Sequence, residues 1–116
     1  MDEFNIPIFK KTYDLYKIFY AYRSGVPKQD RYTIWQKSEE LLLEILENLL
    51  HASQMAKGEK GELLKAVSTK LNFLRIFIRL MKDVKTLDSK KYIVIQTMID
   101  EIGRMLGGWI RSLKSE

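Results

Sequence analysis

The sequence predicts an all-α protein, an antiparallel up-down-up-down four-helix bundle. Three observations lead there. Helix breakers are few: Pro7 and Pro27 are the two prolines, and Gly25, Gly58 and Gly61 fall between long unbroken stretches. Each of four stretches repeats its apolar residues every three or four positions, the period of a helix with one buried face. The connections are short, which sets successive helices antiparallel. At 116 residues, 46% of them hydrophobic and 30% charged, the chain has the size and apolar content of one folded domain, read here as residues 1–116.

The first helix is expected over about 7–23, with Pro7 suited to its first turn. It places Ile8, Leu15, Phe19 and Tyr22 on one side, with Phe9, Tyr13, Tyr16 and Tyr20 beside them. The second, over about 28–56, gathers Trp35, Leu42, Ile45, Leu46 and Leu49. The stretch K-G-E-K-G ends that run, and a third helix follows over about 59–85. Here Phe73, Leu74, Ile76, Phe77, Ile78, Leu80 and Met81 surround the helix almost completely. A helix apolar nearly all round is covered on more than one side. A single bundle leaves one face of each helix wet, so an oligomer is expected.

The fourth helix is expected over about 88–113, with Asp88 in T-L-D-S-K-K as its N-cap. Ile95, Ile99, Ile102, Leu106, Trp109 and Leu113 alternate four and three apart, the seam of a bundle. Its end, E-I-G-R-M-L-G-G-W-I-R-S-L, holds Gly103, Gly107 and Gly108. Each costs about 1 kcal/mol relative to alanine. Gly103 and Gly107 stand one turn apart, so the expected return is a close approach by another helix, with Trp109 as an aromatic anchor.

Composition narrows the chemistry. Without cysteine there is neither a disulfide framework nor a thiol nucleophile, which fits a reducing, cytoplasmic setting. The start, M-D-E-F-N-I-P, lacks the basic and apolar parts of a signal peptide. The most apolar run, 71–81, is interrupted by Arg75 and Arg79, so no membrane span is expected. His51 is the single histidine; Glu47 stands four before it, and no second Glu–His pair completes a di-iron site. Phosphate loops, nucleophile elbows and dinucleotide fingerprints are missing, and the G-x-x-x-G-G stretch lacks a preceding strand. We expect no metal, no cofactor and no enzyme.

Charge points to a partner. The net charge is +5, a modest bias toward anions. Residues 38–56 carry Glu39, Glu40, Glu44 and Glu47 with no Lys or Arg, so the surface is expected to be electrically uneven. Ser68, Asn72, Arg75, Arg79 and Lys82 form one polar stripe on the third helix. Guanidinium groups one turn apart can grip successive phosphates. They can equally pair with second-helix glutamates, or with Asp100 and Glu101. Lys82, Lys85, Lys90 and Lys91 form a second cluster, Arg104 and Arg111 a third, and Lys10, Lys11 and Lys17 add charge on the first helix. The six tyrosines suit either base stacking or packing in a core or interface.

Two stretches now carry a resemblance: L-N-F-L-R-I-F-I-R-L at 71–80 and D-E-I-G-R-M-L-G-G-W-I at 100–110. They resemble the accessory variability determinant proteins of diversity-generating retroelements, at Leu74, Arg75, Arg79, Gly103, Arg104, Leu106, Gly107, Gly108 and Trp109. V-P-K-Q-D-R-Y at 26–32 is similar to the start of the second helix in a wider four-helix family. That wider family includes proteins encoded in intervening sequences of 23S ribosomal RNA genes. The resemblance implies a basic, barrel-like homopentamer without catalytic activity. It implies binding to the element's reverse transcriptase and to template RNA, cDNA or an RNA–DNA hybrid, in support of mutagenic retrohoming. In that role the leading candidates for contact are Arg75, Arg79, Arg104 and Arg111, then Lys82, Lys85, Lys90 and Lys91, of which the resemblance itself matches Arg75, Arg79 and Arg104. Two rival readings are an intervening-sequence bundle without a polymerase partner and a protein–protein adaptor that binds no nucleic acid.

Overall fold

The computed structural model describes residues 3–114. Met1 and Asp2, on which the signal-peptide reading partly rests, lie outside the described residues, as do Ser115 and Glu116 at the end of the expected domain. The helices are α1 (Pro7–Tyr22), α2 (Lys28–Arg31), α3 (Ile34–Ser53), α4 (Gly61–Asp83) and α5 (Ser89–Ser112), and no strand occurs among the described residues. The four long ones close into a ring: α1 packs on α3, α3 on α4, α4 on α5 and α5 on α1. This is the expected all-helical, four-helix bundle.

Three of the four expected helices agree with the structure to within two residues at either end. The second does not. Instead of one helix over 28–56, the chain makes a single turn, α2, breaks at Tyr32 and Thr33, and restarts as α3, which ends at Ser53. At the break Thr33 leaves helical geometry, with φ −122° and ψ −103°, and its hydroxyl donates back to the carbonyls of Gln29 (3.3 Å) and Asp30 (3.4 Å).

Every seam read from periodicity faces the core. Leu15 and Phe19 of α1, Trp35, Leu42, Ile45 and Leu49 of α3, and Ile95, Ile99 and Ile102 of α5 are almost fully buried. From α4 come Leu64, Val67, Leu74, Ile78 and Met81. Phe19 and Trp35 stack with centroids 3.9 Å apart and planes 9° from parallel, which fixes α1 against α3. Two buried hydroxyls are satisfied within their own helices, Thr12 donating to the Ile8 carbonyl (2.8 Å) and Ser38 to the Ile34 carbonyl (2.9 Å).

The α4–α5 connection is tightly built. Lys85 has a left-handed backbone, φ 67°. Around it the Lys85 N–H donates to the Lys82 carbonyl (3.1 Å) and the Thr86 N–H to the Met81 carbonyl (2.8 Å), which satisfies the carbonyls left over at the end of α4. Asp88 then caps α5 by accepting from the Lys91 N–H at 2.8 Å, as expected. The Thr86 hydroxyl, nearly buried, donates to Asp30 Oδ2 at 3.0 Å and ties this connection to α2 across 56 positions of sequence.

Candidate nucleic-acid interface

The charged side chains differ in whether a carboxylate meets them. On α1 each lysine meets one. Lys10 and Lys17 both reach Asp14 (2.8 and 3.6 Å), and Lys11 reaches Glu101 (3.2 Å). The hydrogen bond from Lys10 holds the Asp14 carboxyl below its ordinary pKa. The acidic residues of α3 are partly engaged too: Glu44 pairs with Lys70 (3.3 Å), and Glu39 accepts from the Tyr16 hydroxyl (3.0 Å). Burial, and then that hydrogen bond, push the Tyr16 phenol above its ordinary pKa. His51 is exposed beside Glu47, and no three His, Asp or Glu side chains group as metal ligands among the described residues.

On α4 and α5 the balance is different. Arg75 is half-buried, its guanidinium 3.6 Å from Asp100, which also accepts from Gln96 (3.0 Å). Of the two pairings open to Arg75, the structure takes Asp100 rather than a glutamate of α3. Its buried Nε has no partner. Arg79 is exposed and makes one long contact, 3.4 Å, to Asp83 on its own helix. Such an exposed pair is worth little and leaves the guanidinium available. Lys85, Lys90, Arg104 and Arg111 are exposed, and none meets a carboxylate among the described residues. Lys82 and Lys91 lie over tyrosine rings, Tyr92 at 5.1 Å and Tyr22 at 5.2 Å, contacts that leave the charge intact.

A groove of about 400 Å³ runs between α4 and α5, lined by Ser68, Asn72, Arg75, Asp100, Gly103, Arg104 and Gly107 among others. The glycines shape it. A Cβ on Gly103 would sit 3.3 Å from the Arg75 guanidinium and 3.7 Å from Leu71. One on Gly107 would meet only Arg111, at 3.3 Å, and one on Gly108 only Arg111 at 3.9 Å. The expected close approach of another helix backbone is therefore not made within this chain. Gly103 instead makes room for a side chain, and Gly107 leaves the groove open. Trp109 is half-buried against the core, beside Ile6, Pro7, Ile8 and Met105, with Lys60 5.2 Å above its ring.

The apolar surplus read on the third helix is real. Phe73, Ile76 and Leu80 are exposed on α4 and Val84 just after it, with Ile93 and Val94 on α5. A monomer rarely leaves so much apolar surface together on neighbouring elements.

Sequence reasoning brought together the arginines of the groove and the lysines of the α4–α5 connection. It missed Arg23, Lys28 and Arg31, which the α1–α3 turn sets at the same end of the bundle as that connection. It also left open what the tyrosines do. Tyr13, Tyr16, Tyr22 and Tyr92 are half-buried, whereas Tyr20 and Tyr32 are 68% and 71% exposed. The signal for the missed group was present in the basic and aromatic V-P-K-Q-D-R-Y.

No curated protein matches this sequence. No helix among the described residues is long and apolar enough to cross a membrane. A family model described as bAvd-like matches residues 7–113, nearly the whole chain and all five helices. With the Gly-Arg-x-Leu-Gly-Gly-Trp segment now placed on α5 against an arginine of α4, the chain belongs to the bAvd-like family, the accessory variability determinants.

Proposed function

We propose that this protein is a non-catalytic accessory factor of a diversity-generating retroelement. In this reading it works in the cytoplasm as a homo-oligomer, a pentamer by family resemblance, and binds the element's reverse transcriptase together with template RNA or its cDNA. The observation that carries the proposal is a set of exposed cations that no carboxylate meets. Each lysine of α1 contacts Asp14 or Glu101, while Lys85, Lys90, Arg104 and Arg111 on α5 and the α4–α5 connection meet no carboxylate among the described residues. Cations free of carboxylates are what a sequence-independent phosphate surface needs. The uncovered apolar stripe of α4 supplies a surface for self-assembly. Assembly repeats the modest charge of one chain around a ring, and simultaneous contacts along a polyanion multiply affinity.

Charge reversal tests this reading. The double variant Arg79→Glu, Arg104→Glu should lose salt-dependent RNA binding or polymerase co-purification by about tenfold or more while keeping its helicity and oligomeric mass. Loss of assembly alone would make these arginines structural. No salt-dependent binding of the unmodified protein to RNA, DNA or hybrid would favour an adaptor bundle.

A further inference from the structure

The end of the bundle at which α1 turns into α3 has a feature that phosphate binding alone does not require. Two phenol rings are left open to solvent there. Tyr20 is 68% exposed and touches one other ring, Tyr16, at 6.5 Å. Tyr32 is 71% exposed and lies under the Arg23 guanidinium at 5.8 Å. Tyr20 lines a cleft of about 330 Å³ with Arg23, Ser24 and Arg31, and Tyr32 adjoins it through the Arg23 guanidinium.

The cleft is positive, and one of its two cations is held in place. Arg31 donates from Nε to the Val26 carbonyl (3.0 Å) and from a terminal nitrogen to the Ser24 carbonyl (3.3 Å), so its guanidinium is fixed on the turn. Those carbonyls satisfy its donors without cancelling its charge. Among the described residues no carboxylate pairs with Arg23 or Arg31; the nearest in sequence, Asp30, is engaged by Thr86. Lys91 arrives from α5, its Nζ 3.0 Å from where a Cβ on Gly25 would stand.

Exposed aromatic faces set among fixed cations are the requirements of a single-strand site. An unpaired base has a free π-face to lay on a tyrosine, and its flanking phosphates meet the arginines. Bases inside a duplex keep their faces against each other and can offer only phosphates. An acidic peptide would use the arginines and leave the rings unused. We propose that this cleft binds an unpaired nucleotide of a single-stranded RNA or cDNA, stacked on Tyr20 or Tyr32 with its phosphates on Arg23 and Arg31. The inference rests on the nucleic-acid reading above and adds which form of nucleic acid this end selects.

The test compares an unstructured single-stranded RNA with a duplex of the same length, by fluorescence anisotropy at matched salt, with oligomeric mass read by light scattering. Tyr20→Leu, Tyr32→Leu should weaken single-strand binding by about tenfold and leave duplex binding within about twofold. Tyr20→Phe, Tyr32→Phe, which keeps the rings, should restore the single-strand affinity. Equal losses on both ligands, no loss on either, or a change of oligomeric mass would overturn the cleft as a stacking site while the wider reading stands. If the unmodified protein binds neither RNA with salt dependence, the wider reading fails and this one with it.

Discussion

Tyr16 shows how one side chain couples packing to charge. Its ring lies against the core, and its hydroxyl donates to Glu39, joining α1 to α3. Desolvation and the neighbouring carboxylate both disfavour the phenolate, so the folded state holds this proton more tightly than the unfolded chain does. The stability that follows is fully present below the ordinary tyrosine pKa of about 10 and is lost as pH rises through the raised folded value. Tyr16→Phe should cost about 1 kcal/mol near neutrality, measured by urea unfolding. It should also lose less stability than the parent between neutral and strongly alkaline pH. Equal alkaline losses would show that Tyr16 does not contribute to them.

The end of α4 carries the clearest local conflict among the elements. Position 85 adopts the left-handed backbone at which glycine normally ends a helix, yet it is a lysine. That backbone costs a side-chain-bearing residue about 1–2 kcal/mol. Lys85→Gly should therefore stabilise the fold by about 1 kcal/mol and raise the melting temperature by a few degrees. The same change should weaken nucleic-acid binding if the exposed amine serves it; anisotropy and a thermal melt on one sample separate the two effects. Asp88 and the α5 seam were legible in the sequence because caps and periodicity are written within one helix. The break at Tyr32 and Thr33 was less so, since K-Q-D-R-Y-T at 28–33 holds neither proline nor glycine to mark a stop. The Thr86–Asp30 bond, joining residues 56 apart, leaves no periodic trace at all. For the candidate site, the pairing of Arg75 with Asp100 was among the alternatives the sequence offered. The exposure of Tyr20 and Tyr32 was not, because helical spacing places a ring on a face without saying whether a neighbour covers it.

For the whole molecule, the open groove beside Gly107 and the apolar stripe of α4 separate folding from assembly. Nothing but Arg111 stands near the missing Cβ of Gly107, so Gly107→Leu should leave the subunit folded and, by helix propensity, no less stable. If a second copy or a partner fills that groove, the same variant should lose oligomeric mass or partner binding, read by light scattering and co-purification. An unchanged assembly with unchanged binding would mark the groove as unused, and Gly103 alone would keep a packing role, at the seat of Arg75. The molecule is 48 Å long and 25 by 21 Å across, so its two ends are distinct places. The Thr86–Asp30 bond lies at one of them, among Arg31, Lys85 and Lys91. Its consequence is energetic as well as structural. Helix ends fray first, but fraying of α2 or of the α4–α5 connection here also gives up that part-buried bond, about 1 kcal/mol. The two turns that carry the cations of that end are thereby coupled, each resisting the opening of the other.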